Sequence, residues 1–126
     1  LKLGGVWGQD DGMEVCFRSA AAKNQPAFVL HGFPNGQFAS DDQAGLALAA
    51  VEKLGKATRF AAKAEGGQWT GEWAIPLSAA GLAYQPGLKL AFNVGVNRTE
   101  TGEWIIWQGA LGPTWQVDNA GVVVLQ

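Results

Sequence analysis

Apolar residues recur along this chain either in alternation with polar residues or in short runs, and both patterns are typical of β-strands. The pattern predicts strands at Met13–Arg18, Ala27–Phe33, Ala57–Ala64, Trp69–Pro76, Leu88–Val96, Glu103–Gln108 and Gly121–Leu125. The strings FPNG, AEGGQ and NRTETG follow or join these strands, and their Gly, Asn and Pro residues favour tight turns. We expect the last strand, which contains VVVL, to be buried on both faces.

One segment, SDDQAGLALAAVEKLG (residues 40–55), has the period of a helix instead. Its apolar stripe, spaced four residues apart, consists of Leu46, Ala50 and Leu54. Such a stripe can pack on a sheet. Ser40 and Gln43 have the spacing of a capping box, and Gly55 marks the residue after the helix. The string LSAAG (residues 77–81) predicts one further helical turn.

Antiparallel strands joined by tight turns, with one short amphipathic helix, predict an all-β fold. We expect an antiparallel β-sandwich of the jelly-roll or immunoglobulin-like kind. The 126 residues contain neither a repeat nor a linker, so residues 1–126 form one predicted domain. The first strand begins close to the first residue, which is not Met. We therefore expect a processed form or an excised segment that lacks strands of a longer parent.

Charge and cysteine content exclude several classes of protein. The net charge is −2, so there is no basic field for nucleic acid or for an anionic membrane surface. No apolar run approaches the roughly 20 residues that cross a bilayer. The single cysteine, Cys16, excludes an internal disulfide, and no residues have zinc-ligand spacing. We predict neither a nucleic acid nor a membrane as partner.

Catalysis finds little support in the sequence. Hydrolysis of a glycoside needs two carboxylates placed across the bond. Glu14, Glu72 and Glu103 are available, but the last two occupy positions that we expect to face outward. His31, the one histidine, is not accompanied by a nucleophile motif such as GxSxG. We therefore predict a protein that is not an enzyme, and a small glycoside-active enzyme is the least favoured alternative.

Haem and calcium are two cofactor alternatives. Some sandwich domains hold haem through a methionine and a histidine, and this chain has Met13 and His31 on neighbouring predicted strands. Met13 alternates with Val15 and is more simply explained as a core residue. Calcium binds six to eight oxygen atoms, and candidates for these are Asp10, Asp11, Asp41, Asp42, Asp118 and Asn119. We predict no cofactor and keep calcium as an alternative.

The six tryptophans divide by context. Trp69, Trp73 and Trp107 lie within predicted strands, where burial is expected, whereas Trp104 has no preferred side. Trp7 and Trp115 instead lie in VWGQDD and LGPTWQVDN, which are loop-like strings. A flat indole can cover the apolar face of a sugar ring, while neighbouring carboxylates and amides bind the hydroxyls at its edge. Two such loops favour a sugar-binding role over two simple lids on the core.

Several strings carry a resemblance to a known family. WGQDDGMEVCF (residues 7–17) resembles the tryptophan loop and next strand of family 9 carbohydrate-binding modules. QWTGEWAIPLSAAGL resembles that family's Trp-Glu-Ile-Pro strand and turn, and LKLAFNVGVNR its Phe-Asn strand. EWIIWQG and GPTWQVDNAGVVVL are similar to its closing strand, its second loop tryptophan and its terminal strand. The five motifs follow the family's order from Val6 to Leu125, nearly the whole chain, and that order is the specific signal.

The resemblance implies a β-sandwich that binds sugar chains without reacting with them. It implies sugar-binding roles for six residues: Trp7 and Trp115 as the walls of a tryptophan clamp, Glu14 as an acceptor for sugar hydroxyls, and Asn93, Asn97 and Arg98 as lesser contacts. Two positions depart from the family. The expected arginine falls near Val29 or His31, and an amide expected beside Asn93 is Gly95.

The resemblance also implies a ligand, a cellular location and candidate partners. The expected ligand is a mono-, oligo- or polysaccharide of plant type, such as cellulose, another glucan or xylan, and the expected location is secreted or periplasmic. Members of the family carry several strands before the tryptophan loop, and an open sheet edge in their place would favour a homo-oligomer or a strand partner. The alternatives from other classes are a haem-binding electron-transfer domain and a structural or assembly domain with a degenerate sugar site.

Overall fold

A computed structural model of the chain describes residues 1–109 and 111–126. Within these residues the fold is all-β, with antiparallel sheets and one short α-helix, as predicted. The strands are β1 (Gly12–Ser19), β2 (Phe28–Gly32), β3 (Phe38–Asp41), β4 (Arg59–Glu65), β5 (Gln68–Ala74), β6 (Lys89–Arg98), β7 (Glu103–Ile106) and β8 (Gly121–Val124). The α-helix, α1, spans Leu48–Ala57, and 3₁₀ turns span Leu77–Ala80 and Val117–Asn119. No described helix is long and apolar enough to cross a membrane.

The larger sheet has the strand order β3-β2-β1-β6-β7, and β8 pairs with β6 beyond the end of β7. All of its pairings are antiparallel. In the centre, Val15 of β1 lies opposite Leu30 of β2 on one side and Val94 of β6 on the other. Strands β4 and β5 form a separate two-stranded hairpin. The fold is therefore sandwich-like, with a broad sheet and a small second layer.

One face of the larger sheet, the apolar face, carries the main core. Phe17, Phe28 and Leu30 are buried on it together with Leu54 of α1. The β4–β5 hairpin adds Trp73, whose ring packs against this cluster. Because strand residues alternate between faces, the odd-numbered residues of β1 point to this layer. Helix and hairpin together remove from water the apolar surface that a single sheet would expose.

The opposite face, here called the polar face, is formed by Glu14, Cys16, His31, Asn93 and Gly95, which register places side by side. All five are buried, although three of them carry polar side chains. Among the described residues, the cover is supplied by loops and by the 3₁₀ turn Val117–Asn119, whose Val117 packs against Cys16. The loop before β1 and the loop between β7 and β8 therefore position whatever lies over this face.

The predicted helix start was wrong. Ser40 lies in β3, opposite Leu30, and the helix begins at Leu48 with no side-chain cap at Ala47. Gly45 has a φ of 95°, a left-handed conformation that interrupts a helix before that point. The capping-box interpretation was therefore wrong, and strand β3 was missed. Gly55 lies inside α1 rather than after it.

Two burial predictions also failed. Val122 and Val124 of β8 are about half exposed, because β8 pairs with β6 at the rim of the sheet and one of its faces meets solvent. Trp107, which follows β7, is 54% exposed rather than buried. The 3₁₀ turn at Leu77–Ala80 confirms the predicted helical turn.

Candidate functional site

The loop before β1 holds Trp7 over the polar face. The indole stacks on the imidazole of His31, with ring centroids 3.8 Å apart and an angle of 8° between the planes. The edge of Trp104 meets it at a centroid distance of 5.3 Å. Gly12 lets this ring lie close to β1, since a Cβ there would be only 3.0 Å from it. One face of Trp7 is therefore occupied by the protein itself.

Hydrogen bonds fix this loop to the sheet. The Asp10 carboxylate accepts from the Val6 amide at 2.9 Å, and the Asn97 side chain donates to the Asp10 carbonyl at 3.3 Å. Asp11 accepts from both the amide and the hydroxyl of Thr99, at 2.9 and 2.7 Å. The Lys2 amide also donates to Asp11. Asn97 thus acts in the structure as an anchor of the Trp7 loop.

The carboxylate of Glu14 lies at the centre of a buried network. Only 2% of the residue is exposed, and Oε2 is 2.8 Å from Nε2 of His31. The side-chain amide of Gln43 donates to the same oxygen, and Nδ1 of His31 is 4.0 Å from the Asp41 carboxylate. Glu14 thus lies on the polar face, and its carboxylate is hydrogen-bonded by its own neighbours; its role as a sugar contact stays a prediction.

The second loop, between β7 and β8, is held by Asn93. The side chain of this buried residue donates to the carbonyls of Gln108, at 3.0 Å, and Thr114, at 3.4 Å. Its oxygen accepts from the Gln108 amide at 3.2 Å. Since these bonds use the carboxamide's donors and its acceptor, Asn93 anchors the loop that carries Trp115. It presents no amide to a ligand in this arrangement.

Trp115 is half buried against a cluster on the polar face that includes Cys16, Val29 and Val117. Beside its ring is an open cleft of about 400 Å³, which we call the Trp115 cleft. The lining comes from residues 24–27 of the β1–β2 loop, from Ala44, and from Trp115, Gln116, Asp118 and Asn119. Unlike Trp7, Trp115 therefore borders a space that a ligand can enter.

Arg98 does not join the other predicted site residues. It follows Asn97 on β6 and so points to the opposite side of the sheet. Its guanidinium donates to the Glu103 carboxylate at 2.7 Å, and the residue lines a different cleft together with Trp69 and Val96. Of the six predicted residues, five thus lie on or over the polar face, and Arg98 does not.

The space above Gly95 is filled by neighbours. A Cβ on Gly95 would lie 2.7 Å from the Thr114 hydroxyl and 3.1 Å from the Trp104 ring. A larger residue at this position would push the β7–β8 loop away from the sheet. The glycine that replaces an expected amide therefore lets the loop that carries Trp115 approach closely.

Two groups, one on the polar face and one in the Trp7 loop, have displaced pKa values. Burial, reinforced by the nearby Glu14 carboxylate, raises the pKa of the Cys16 thiol far above its ordinary value. Burial also acts to raise the pKa of Asp11, but hydrogen bonds from Thr99 and Lys2 outweigh it and hold that pKa below its ordinary value. Cys16 is therefore an unreactive thiol, and Asp11 is a structural carboxylate of the Trp7 loop.

The structure also places the residues of the haem, glycosidase and metal alternatives. Met13 accepts a 3.1 Å hydrogen bond from the indole of Trp73 on the apolar face, whereas His31 lies on the polar face, so the two cannot bind one haem iron in this arrangement. Glu72 is exposed on the hairpin and Glu103 is bound to Arg98, so neither lies with Glu14. Among the described residues, no three His, Cys, Asp or Glu side chains are grouped to hold a metal ion.

Sequence reasoning missed two members of the network, His31 as the partner of Glu14 and Gln43 as its cover. The eight-residue connection between β1 and β2 leaves their register undetermined from sequence, and the sequence pattern places Gln43 in a helix cap instead. Comparison with known proteins adds nothing to this geometry, since neither a family model, nor a curated protein, nor a solved structure matches the chain.

Proposed function

We propose that this domain is a non-catalytic carbohydrate-binding module, similar to those of family 9, that stacks a sugar ring on a loop tryptophan. The observation that carries the proposal is the placement of Trp7 and Trp115 over the same face of the larger sheet. The expected ligands are glucan or xylan oligosaccharides, and the expected parent is an exported protein that processes polysaccharides.

The chemistry of the polar face supports this proposal. A pyranose ring has apolar C–H faces, which an indole covers, and hydroxyls at its edge that both donate and accept hydrogen bonds. Loop carboxamides offer the same two capacities. Each hydrogen bond contributes a net 0.5–1.5 kcal/mol, roughly, so binding by such a surface is expected to be moderate and to depend strongly on the aromatic contact.

The first test is calorimetric titration of the protein with glucose, cellobiose, xylobiose and their reduced alditols. Trp115→Ala should weaken binding at least about tenfold, which corresponds to ~1.4 kcal/mol. Trp107→Ala is the matched control, because Trp107 is exposed but belongs to the opposite side of the sheet. Thermal unfolding of both variants checks that each remains folded.

The outcomes separate clearly. Binding that is lost in Trp115→Ala and kept in Trp107→Ala supports the module, and discrimination against the alditols would identify recognition of a reducing end. Equal affinity in both variants removes Trp115 from the site. No heat and no change in tryptophan fluorescence with any sugar would contradict the proposed function.

A second candidate, an assembly domain, is favoured by one observation. Strand β7 forms an edge of the larger sheet, and Trp104 and Ile105 on it are 43% and 52% exposed. An apolar edge strand without a covering element can pair with another strand. Self-association through β7 should appear as a concentration-dependent mass in light scattering, and Ile105→Lys should abolish it. A monomer at all concentrations would contradict this candidate.

A further inference from the structure

We infer that the sugar-binding subsite of this domain is the Trp115 cleft and that its ligand is a neutral pyranose rather than an acidic sugar. The inference rests on the proposed function and makes it specific. It assigns hydroxyl recognition to Asn24, Gln25 and Asn119, residues of two loops, instead of to the strand residues beneath.

The first argument is access. The cleft measures about 400 Å³, within the range of roughly 300–1,000 Å³ that small-molecule pockets occupy. On the inner face of Trp7 the corresponding space is filled, because His31 stacks on the indole and Gln43 covers Glu14. A ring that entered there would have to displace both side chains, whereas a ring beside Trp115 displaces only water.

The second argument is the chemistry of the lining. Asn24, Gln25 and Asn119 are exposed and line the cleft around the indole of Trp115. A carboxamide both donates and accepts, as a hydroxyl does. By contrast, the carboxamide of the buried Asn93 is already hydrogen-bonded to the backbone of Gln108 and Thr114. The groups that can exchange water for sugar hydroxyls are thus the loop amides.

The third argument concerns charge. Asp118 also lines the cleft, and its carboxylate accepts from the guanidinium of Arg18. Arg18 is buried, whereas the Asp118 side chain is about half exposed, so the carboxylate is the member of the pair that faces the cleft. A carboxylate on the ligand would meet this like charge, since no cation is among the described residues that line the cleft. A neutral sugar can instead donate a hydroxyl to Asp118.

The backbone of Asn24 provides a clean test. Its φ is 61°, a left-handed conformation that Gly adopts readily and that most other residues do not. Asn24→Gly therefore removes the carboxamide while keeping the backbone conformation. Asn119→Ala removes a second amide from the other loop. Gln68→Ala, an exposed carboxamide on the β4–β5 hairpin, is the matched control.

Each cleft variant should weaken binding of cellobiose and xylobiose about threefold to tenfold, as expected for the loss of one hydrogen bond. The double variant Asn24→Gly/Asn119→Ala should lose more than either, and Gln68→Ala should not change the affinity. Glucuronic acid should bind more weakly than glucose at pH 7. In ¹⁵N spectra, added sugar should shift the indole resonance of Trp115 and leave that of Trp7 in place.

Failure of this inference is distinguishable from failure of the function. Sugar binding that survives the double variant but is lost in Glu14→Gln, with a shifted Trp7 resonance, would overturn the cleft assignment and leave the module intact. Glucuronic acid binding as tightly as glucose would overturn the neutral ligand. No binding of any sugar to the wild-type protein would overturn both the cleft assignment and the proposed function.

Discussion

Trp7 and Trp115 stand in loops of similar composition and over the same face of one sheet, yet they meet different surroundings. Trp7 lies flat on His31 with Trp104 at its edge, whereas Trp115 packs on an aliphatic cluster and borders an open cleft. The residues beneath each ring account for the contrast. A flat imidazole accepts a stacked indole, while small side chains leave part of the second indole uncovered.

The same strand anchors both loops, with different strength. Asn97 and Asn93 are four residues apart on β6 and so share a face. Asn97 makes a single 3.3 Å bond to the Trp7 loop, whereas Asn93 bonds to the backbone of both Gln108 and Thr114. Asn93 is therefore the stronger of the two asparagine anchors, whereas the Trp7 loop depends more on Asp11 and its two bonds from Thr99.

The largest expected effect comes from His31→Ala. The substitution removes the partner of a buried carboxylate and the ring on which Trp7 stacks. A buried polar group left without its partner costs about 1–3 kcal/mol, and loss of the stacked ring adds about 0.5–1.5 kcal/mol. Urea unfolding should show this decrease in the free energy of unfolding, together with a change in native tryptophan emission.

Glu14→Gln is the control for this prediction. It keeps the shape of the side chain and leaves the imidazole on which Trp7 stacks, so it should be clearly less destabilising than His31→Ala. If the two variants lost equal stability, or if His31→Ala cost under about 1 kcal/mol, the Glu14–His31 pair would not hold the Trp7 region as described.

The next largest expected effect is a difference in stability between variants of the two asparagine anchors on β6. Asn93→Ala leaves buried backbone groups without partners and should cost about 2–3 kcal/mol, while Asn97→Ala should cost under about 1 kcal/mol. Denaturant unfolding measures both. Sugar affinity sharpens the comparison, because only Asn93→Ala should disturb the loop that carries Trp115. The reverse order of stabilities would contradict the assignment of the firm anchor to that loop.

The strands and the fold class followed from local periodicity, since alternation in β1, β5 and β6 is a property of consecutive residues. Long-range register did not. Nothing local places His31 opposite Glu14 or brings Gln43 onto the same carboxylate, and both depend on how loops return to the sheet. Trp7, Glu14 and Trp115, predicted as sugar contacts, lie on or over one face, whereas the asparagines predicted as further contacts anchor its loops.

A smaller effect should appear in alkali. Burial raises the pKa of Cys16 above the ordinary value of 9.0, so the unfolded chain releases the thiol proton above that pH and the native chain keeps it. The buried thiol therefore leaves the free energy of unfolding unchanged below pH 9. Above pH 9 it lowers that free energy by about 1.4 kcal/mol per pH unit. Cys16→Ala should remove this part of the slope in urea unfolding between pH 8 and 10.5. An unchanged slope would show that other groups cause it.

The smallest expected effect is a loss of stability at acid pH, and the accompanying structural change should be confined to the Trp7 loop. Hydrogen bonds from Thr99 and Lys2 hold the pKa of Asp11 below its ordinary value of 3.8, although burial opposes them. A lowered native pKa contributes stability above the unfolded value, and this contribution is lost as the pH falls through the native value.

Asp11→Asn should therefore lower stability at pH 6, and the difference from wild type should narrow below pH 3.8. The indole resonance of Trp7 should shift over the same acid range while that of Trp115 stays, because Asp11 fastens only the first loop. A difference that stayed constant with pH would show that the Asp11 contacts act through shape rather than charge.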